Sequence, residues 1–134
     1  AIEALKAKGL RKIIPLKVAG AYHSSLMKEA GEKLFPVIGE IEMKTPLCPV
    51  VQNFTGSFVE NICEIRKNLV SQVAGSVRWE NCFKNLLILG VDTVIEFGPG
   101  NVLTGLAKRM SEGIRLLNVN SAESLESPEF QSIF

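Results

Sequence analysis

At 134 residues, 46% apolar and 22% charged, the chain is long enough for one hydrophobic core or for part of a larger one. Fifteen basic residues against fourteen acidic leave a net charge of +1, which gives no global electrostatic reason to bind nucleic acid or an anionic membrane. The longest apolar runs, such as "LLILGV", fall far short of the roughly 20 residues that cross a bilayer, so no membrane span is expected.

The first residues, "AIEALKAKGLRK", enter an amphipathic pattern with Ile2 and Leu5 on one face, carry no signal-peptide h-region and read as a chain met in the middle. Gly9 reads as a helix stop. "RKIIPLKV" (11–18) follows as a short β-rich stretch, an edge strand or the end of one, since Pro15 has no N–H for a ladder. Ser24 and Ser25 are natural N-caps for a helix that sets Leu26, Ala30, Leu34, Val37, Ile38 and Ile41 at helical spacing, with Pro36 expected to kink or end it. "CPVVQN" is a short buried strand. "VENICEIRKNLVSQV" is a helix with Ile62, Ile65, Leu69 and Val73 inward. "WENCFKNLLILG" is a helix that buries Trp79, Phe83 and Leu86 and stops at Gly90. Then come a strand "VDTVIEF", a "GPG" turn, a helix "NVLTGLAKRM" capped by Asn101, a strand "IRLLNV" and a polar, helix-like end. Strands alternating with helices predict an α/β domain with a largely parallel sheet.

Cys48, Cys63 and Cys82 are odd in number and form no C-x-x-C pair, so neither a disulfide framework nor a zinc site is predicted. Each reads as a small buried hydrophobe in a reducing compartment. The single histidine, His23, excludes a multi-histidine metal site and no cofactor is called for. It falls in the loop between a strand and a helix, where α/β sheets place reactive groups, though a lone histidine also serves as a packing residue. Ser24 and Ser25 are too close along the chain to align a hydroxyl with its ring, and no G-x-S-x-G occurs. "EFGPGNVLTGL" offers helix N-terminal amides to an anion but lacks the spacing of a phosphate loop, and reads better as a tight turn with Glu96 as a partner for a nearby loop or cation. Lys6, Lys8, Arg11, Lys12 and Lys17 read as a solvated face with some attraction for an acidic partner.

Three stretches, "VAGAYHSSLM", "PVVQNFTG" and "GVDTVIEFGPGNVLTGLAKR", resemble in order and spacing the C-terminal part of malonyl-CoA:acyl carrier protein transacylase, over almost the whole chain. The resemblance implies an α/β-hydrolase-like large subdomain and a ferredoxin-like small one. Residues 1–17 would then be the last helix and strand of the small subdomain, and residues 18–134 the C-terminal part of the large one. It implies malonyl transfer from malonyl-CoA to acyl carrier protein through an acyl-serine, in cytoplasmic fatty acid biosynthesis. His23 matches the family's catalytic histidine, and Gln72 the residue whose main-chain carbonyl orients it. Asn53 matches a position at the active-site floor. Tyr22 matches the bulky aromatic that precedes the histidine in malonyl-selective members. The nucleophile motif G-H-S-x-G, the carboxylate-clamping arginine and the oxyanion-hole glutamine have no counterpart in these residues, so the chain alone is expected to be inactive and to need the family's N-terminal half. The rival readings are a non-enzymatic α/β interaction module with the same fold and an anion-binding domain using the G-P-G helix start.

Overall fold

Gly9 and Gly90, read as helix stops, both end helices, and by the same device. Helix α1 (Ile2–Ala7) closes with Gly9 at φ 84°, its N–H bonded to the Lys6 carbonyl at 2.9 Å and the Leu10 N–H bonded to Leu5 at 3.2 Å. Helix α4 (Trp79–Ile88) closes with Gly90 at φ 78°, where the N–H groups of Gly90 and Val91 reach Leu87 at 2.9 Å and Leu86 at 3.3 Å. This double bond needs a left-handed residue, which glycine supplies without a Cβ clash. The computed structural model describes residues 2–15 and 18–134.

The strand expected over 11–18 is not formed by residues 11–15 or 18, while Leu16 and Lys17 lie outside the described residues. Pro15 cannot donate to a ladder, no described strand lies alongside, and Ile14 and Val18 are exposed. Ser24 does occupy an N-cap position, but of a single 3-10 turn over Ser25–Met27, and its hydroxyl donates to the Ala21 carbonyl at 2.6 Å instead of accepting from the helix. Helix α2 (Lys28–Glu40) then runs through Pro36. Glu32, whose carbonyl the proline ring displaces from its partner, is exposed, so water can take the missing donor's place.

The sheet is a correction to the parallel pattern. Strand β1 (Val51–Gln52) forms an antiparallel hairpin with β2 (Ser57–Phe58), pairing Val51 with Phe58 and Gln52 with Ser57. Only β3 (Thr93–Phe97) and β4 (Arg115–Val119) are parallel, in register from Thr93 with Arg115 to Phe97 with Val119, joined by helix α5 (Val102–Met110). The tail is two short helices, α6 (Ala122–Leu125) and α7 (Pro128–Gln131), each capped by a serine side chain.

Phe83 is fully buried and Cys82 nearly so, both on α4 where it packs on the hairpin. Burying a side chain of that size stabilises by roughly 1.5–3 kcal/mol. Ala107, Leu117 and Val119 form the corresponding core of the parallel unit. Cys48 and Cys63 are exposed, so the reading of every cysteine as buried holds for Cys82 alone. Helix α3 (Ile62–Gln72) lies against α2 so closely that a Cβ on Gly31 would stand 3.3 Å from the Val70 carbonyl oxygen. Its inward residue is Asn68, 7% exposed, whereas Leu69 is 39% exposed. The reason is polar: Asn68 Nδ2 donates to Gln52 Oε1 at 2.8 Å, and Gln52 Nε2 to the Ile65 carbonyl at 3.3 Å. Leu26, Phe35, Val37, Leu47, Ile88 and Val102 are all more than half exposed.

Candidate functional site

Helix α3 ends by presenting carbonyls that no helical N–H can reach. Its last turn tightens, with Val73 N–H on Val70 at 3.2 Å and Gly75 N–H on Ser71 at 2.8 Å. His23 arrives at this end from 49 residues upstream, its backbone N–H on the Val73 carbonyl at 3.2 Å. Its Nδ1 lies 2.9 Å from the Gln72 carbonyl and 3.2 Å from that of Gly75. To reach them His23 adopts φ 60°, the only left-handed residue other than glycine among the described residues. That conformation costs a non-glycine residue roughly 1–2 kcal/mol, and three hydrogen-bonding contacts hold it there.

The neighbours of Nδ1 decide the tautomer. Two carbonyl oxygens face it, and a lone pair on Nδ1 would repel both, so Nδ1 carries the hydrogen and Nε2 the free lone pair. The Gln72 side-chain nitrogen also stands 3.2 Å away, donor facing donor, while Gln72 Oε1 is buried with no hydrogen-bond partner. That nitrogen donates to the Gly75 carbonyl at 3.3 Å, the same oxygen that faces Nδ1. Nε2 makes no hydrogen bond among the described residues. The ring is exposed, and a base at this position is open to an incoming proton donor.

Asn53 and Gln72 line one cavity of about 240 Å³ together with Val50, Gln52, Asn68 and Leu69. Asn53 makes no hydrogen bond with His23 among the described residues; its Oδ1 is 3.6 Å from Cys82 Sγ, and its carbonyl accepts the Arg78 N–H at 2.8 Å. Tyr22 is 61% exposed, and its ring folds back over Gly20, where an added Cβ would meet Cε2 at 3.2 Å. Gly75 was not singled out by sequence reasoning. A Cβ there would lie 2.5 Å from Phe54 Cδ2 and 2.8 Å from the Ser71 carbonyl oxygen, so only glycine lets the turn present its carbonyl. The available signal was a glycine just beyond a helix predicted to end at Val73.

A larger cavity of about 740 Å³ lies between α4 and α5, near Arg78, Trp79, Leu106 and Met110, and includes none of His23, Gln72, Asn53 or Tyr22. The G-P-G helix start is also closed to anions. Glu96 fills it, accepting from Leu103 N–H at 3.0 Å, Thr104 N–H at 2.9 Å and Thr104 Oγ1 at 2.8 Å. The Thr104 backbone bond is the main reason its carboxyl is held below the ordinary carboxylate range. Asn101, expected to cap this helix, makes no side-chain cap. Among the described residues no group of three His, Cys, Asp or Glu side chains is placed to hold a metal, and no helix is long and apolar enough to cross a membrane.

No family model matches the chain. It is 36% identical over 126 residues to the malonyl CoA-acyl carrier protein transacylase of Bacillus subtilis (strain 168), a match covering 94% of this chain and 40% of that protein. Among solved structures, a malonyl-transacylase in complex with a type II polyketide synthase acyl-carrier protein superposes with a TM-score of 0.83 at 38% identity, covering 92% of this chain and 40% of the other. The chain is homologous to part of the malonyl-CoA:acyl carrier protein transacylases. The transacylase crystal structure from Streptococcus pneumoniae superposes with a TM-score of 0.87 at 30% identity, covering 97% of this chain and 42% of that one. The chain thus spans about two fifths of the length of the transacylases it matches, and its fold is α/β as theirs is.

Proposed function

We propose that this chain is the base-bearing C-terminal part of a malonyl-CoA:acyl carrier protein transacylase. Residues 18–134 belong, on this reading, to its α/β-hydrolase-like large subdomain, and residues 1–17 to the end of a ferredoxin-like small one. The observation that carries the reading is the 2.9 Å contact between His23 Nδ1 and the Gln72 carbonyl, with the Gly75 carbonyl beside it. The apolar side chains left in solvent, among them Leu26, Phe35 and Val37, fit a chain that packs against the rest of such a protein.

In the proposed reaction a serine from the rest of the protein attacks the thioester carbonyl of malonyl-CoA while its proton passes to His23 Nε2. Collapse of the adduct breaks the C–S bond, and His23 returns the proton to the departing coenzyme A thiol, leaving malonyl-serine. The acyl carrier protein thiol then gives its proton to the same nitrogen and attacks the ester, and the proton goes back to the serine oxygen. A serine hydrolase normally sets a carboxylate against the other ring nitrogen. Here neutral carbonyls at a helix C-terminus fix the tautomer and favour a cation through their dipoles. That support suffices for a thiol leaving group, whose pKa of about 8.5 demands far less protonation than an amine. Tyr22 and Asn53 are assigned to the acyl pocket, Tyr22 beside the base and Asn53 at its floor.

The test is malonyl transfer from malonyl-CoA to acyl carrier protein. The 134-residue chain alone is expected to give none above background, and the complete protein full transfer. In the complete protein His23→Ala should lose several orders of magnitude, Gln72→Ala should keep most activity because the carbonyl stays, and Gln72→Pro should lose it by distorting the last turn. Acyl-enzyme formed on the chain alone, or a wild-type rate in His23→Ala, overturns the reading.

A further inference from the structure

We propose that the buried amide pair Gln52 and Asn68 is a positioning device, which fixes the register of α3 on β1 and thereby aims the Gln72 and Gly75 carbonyls at His23. The proposal rests on the reading of His23 as the base. Both side chains are more than nine-tenths buried. Gln52 grips α3 at Asn68 and, one turn earlier, at the Ile65 carbonyl. Gln72 follows one turn later on the same helix. The other end of the grip is anchored. The Gln52 carbonyl accepts the Gly56 N–H at 2.8 Å, and the next carbonyl, of Asn53, accepts the Arg78 N–H at the start of α4, also at 2.8 Å.

Helix α2 holds the opposite face of α3, through close approach at Gly31 and Arg66 Nη1 donating to the Ile38 and Gly39 carbonyls at 2.7 Å, but on the β1 side apolar packing does little to fix the register. Ile65 is only half-buried and Leu69 is exposed, and a cavity of about 240 Å³ is lined by Gln52, Asn68, Leu69 and Gln72. Hydrophobic contact is non-directional and tolerates sliding, whereas an amide pair does not. A slide of about 1 Å would take the 2.9 Å bond to His23 out of hydrogen-bonding range. Buried polar groups of this kind add less to stability than to the choice of one arrangement, because replacing both partners with apolar groups of similar shape is close to neutral. Stability and aim are therefore separable by mutation.

His23 is the only histidine, so labelling the chain with ring-¹⁵N histidine gives one imidazole whose nitrogen shifts report the tautomer. The wild type should be predominantly Nδ1–H. Gln52→Met combined with Asn68→Leu orphans no polar atom and should fold with a near wild-type denaturation midpoint. Its ratio of Nδ1–H to Nε2–H should fall by about fivefold, the worth of one net hydrogen bond. Asn68→Ala, in which better helix propensity offsets part of the lost bond, should show the same shift if the double variant does not fold. Leu69→Ala, one residue further on, should leave the tautomer unchanged. A folded double variant or Asn68→Ala with the wild-type ratio overturns the proposal alone, as does an equal shift in Leu69→Ala. A wild type without Nδ1–H overturns the histidine reading and this proposal with it.

Discussion

Gly75→Ala puts a methyl carbon where the structure has no room for one. The new Cβ would lie 2.5 and 2.6 Å from Phe54 Cδ2 and Cε2 and 2.8 Å from the Ser71 carbonyl oxygen, all inside contact distance. The Phe54 ring is half-buried and can swing aside, but the Ser71 oxygen is backbone, tied to Gly75 N–H itself at 2.8 Å. The turn after α3 must therefore shift by several tenths of an ångström. Overpacking of this kind costs about 1–3 kcal/mol. The contact between His23 Nδ1 and the Gly75 carbonyl, already 3.2 Å, is the first to go. Guanidinium unfolding followed through Trp79, the single tryptophan, should show a lower midpoint at unchanged slope. Gly105→Ala is the matched comparison: it lies inside α5 with nothing within 4 Å of its added Cβ, and should stabilise by up to about 1 kcal/mol. A Gly75→Ala midpoint corresponding to less than about 0.5 kcal/mol of destabilisation would refute the steric argument.

Glu96 has a folded-state pKa held below its ordinary value of 4.5, so its contribution is fully present above that value and lost as pH falls through the lowered one. Glu96→Gln should accordingly lower the melting temperature at neutral pH, with the gap to wild type closing in acid; a gap independent of pH would contradict the capping role. Cys48 and Cys63 should be alkylated by iodoacetamide in the native chain, while Cys82, buried and with its thiol pushed up by desolvation, should be labelled only on unfolding, as peptide mass spectra would reveal. On the proposed function, Tyr22→Ser in the complete protein should raise use of methylmalonyl relative to malonyl by about tenfold, the usual effect of one methyl-sized change in a pocket. An unchanged ratio would overturn the proposed place of Tyr22 in an acyl pocket.

What the sequence made legible was local. The two glycine stops, the run of α3 to its end and the β–α–β unit from Thr93 to Val119 all follow from spacing and backbone chemistry within a few residues. Strand β1 falls inside "CPVVQN", read as a strand, whereas β2 and the hairpin are not legible: two residues are too few for alternation to register, and the helix pattern is read from Val59 onward. Periodicity places Leu69 inside because it counts apolar residues alone, whereas the buried residue is its polar neighbour Asn68. The reversal depends on a partner, Gln52, 16 residues away. The sequence marks Glu96 as a partner for a nearby loop but points to Asn101 as the cap, since proximity in sequence favours the residue next to the helix. The approach of His23 to Gln72 spans 49 residues, which no local pattern encodes; only the resemblance to the transacylases brought the two together.

The left-handed backbone at His23 has a consequence for how any substitution there is interpreted. The same residue joins the loop before α2 to the end of α3, once through its amide and again through its ring. Alanine removes the ring from both roles, and it tolerates φ 60° less readily than asparagine, which adopts such angles more often. If His23 is the base proposed above, the drop from histidine to alanine sums lost proton transfer, a loosened joint and a backbone under strain. On that reading the drop from histidine to asparagine is nearer to proton transfer alone, and the difference between the two variants measures how far the residue serves as a fastening.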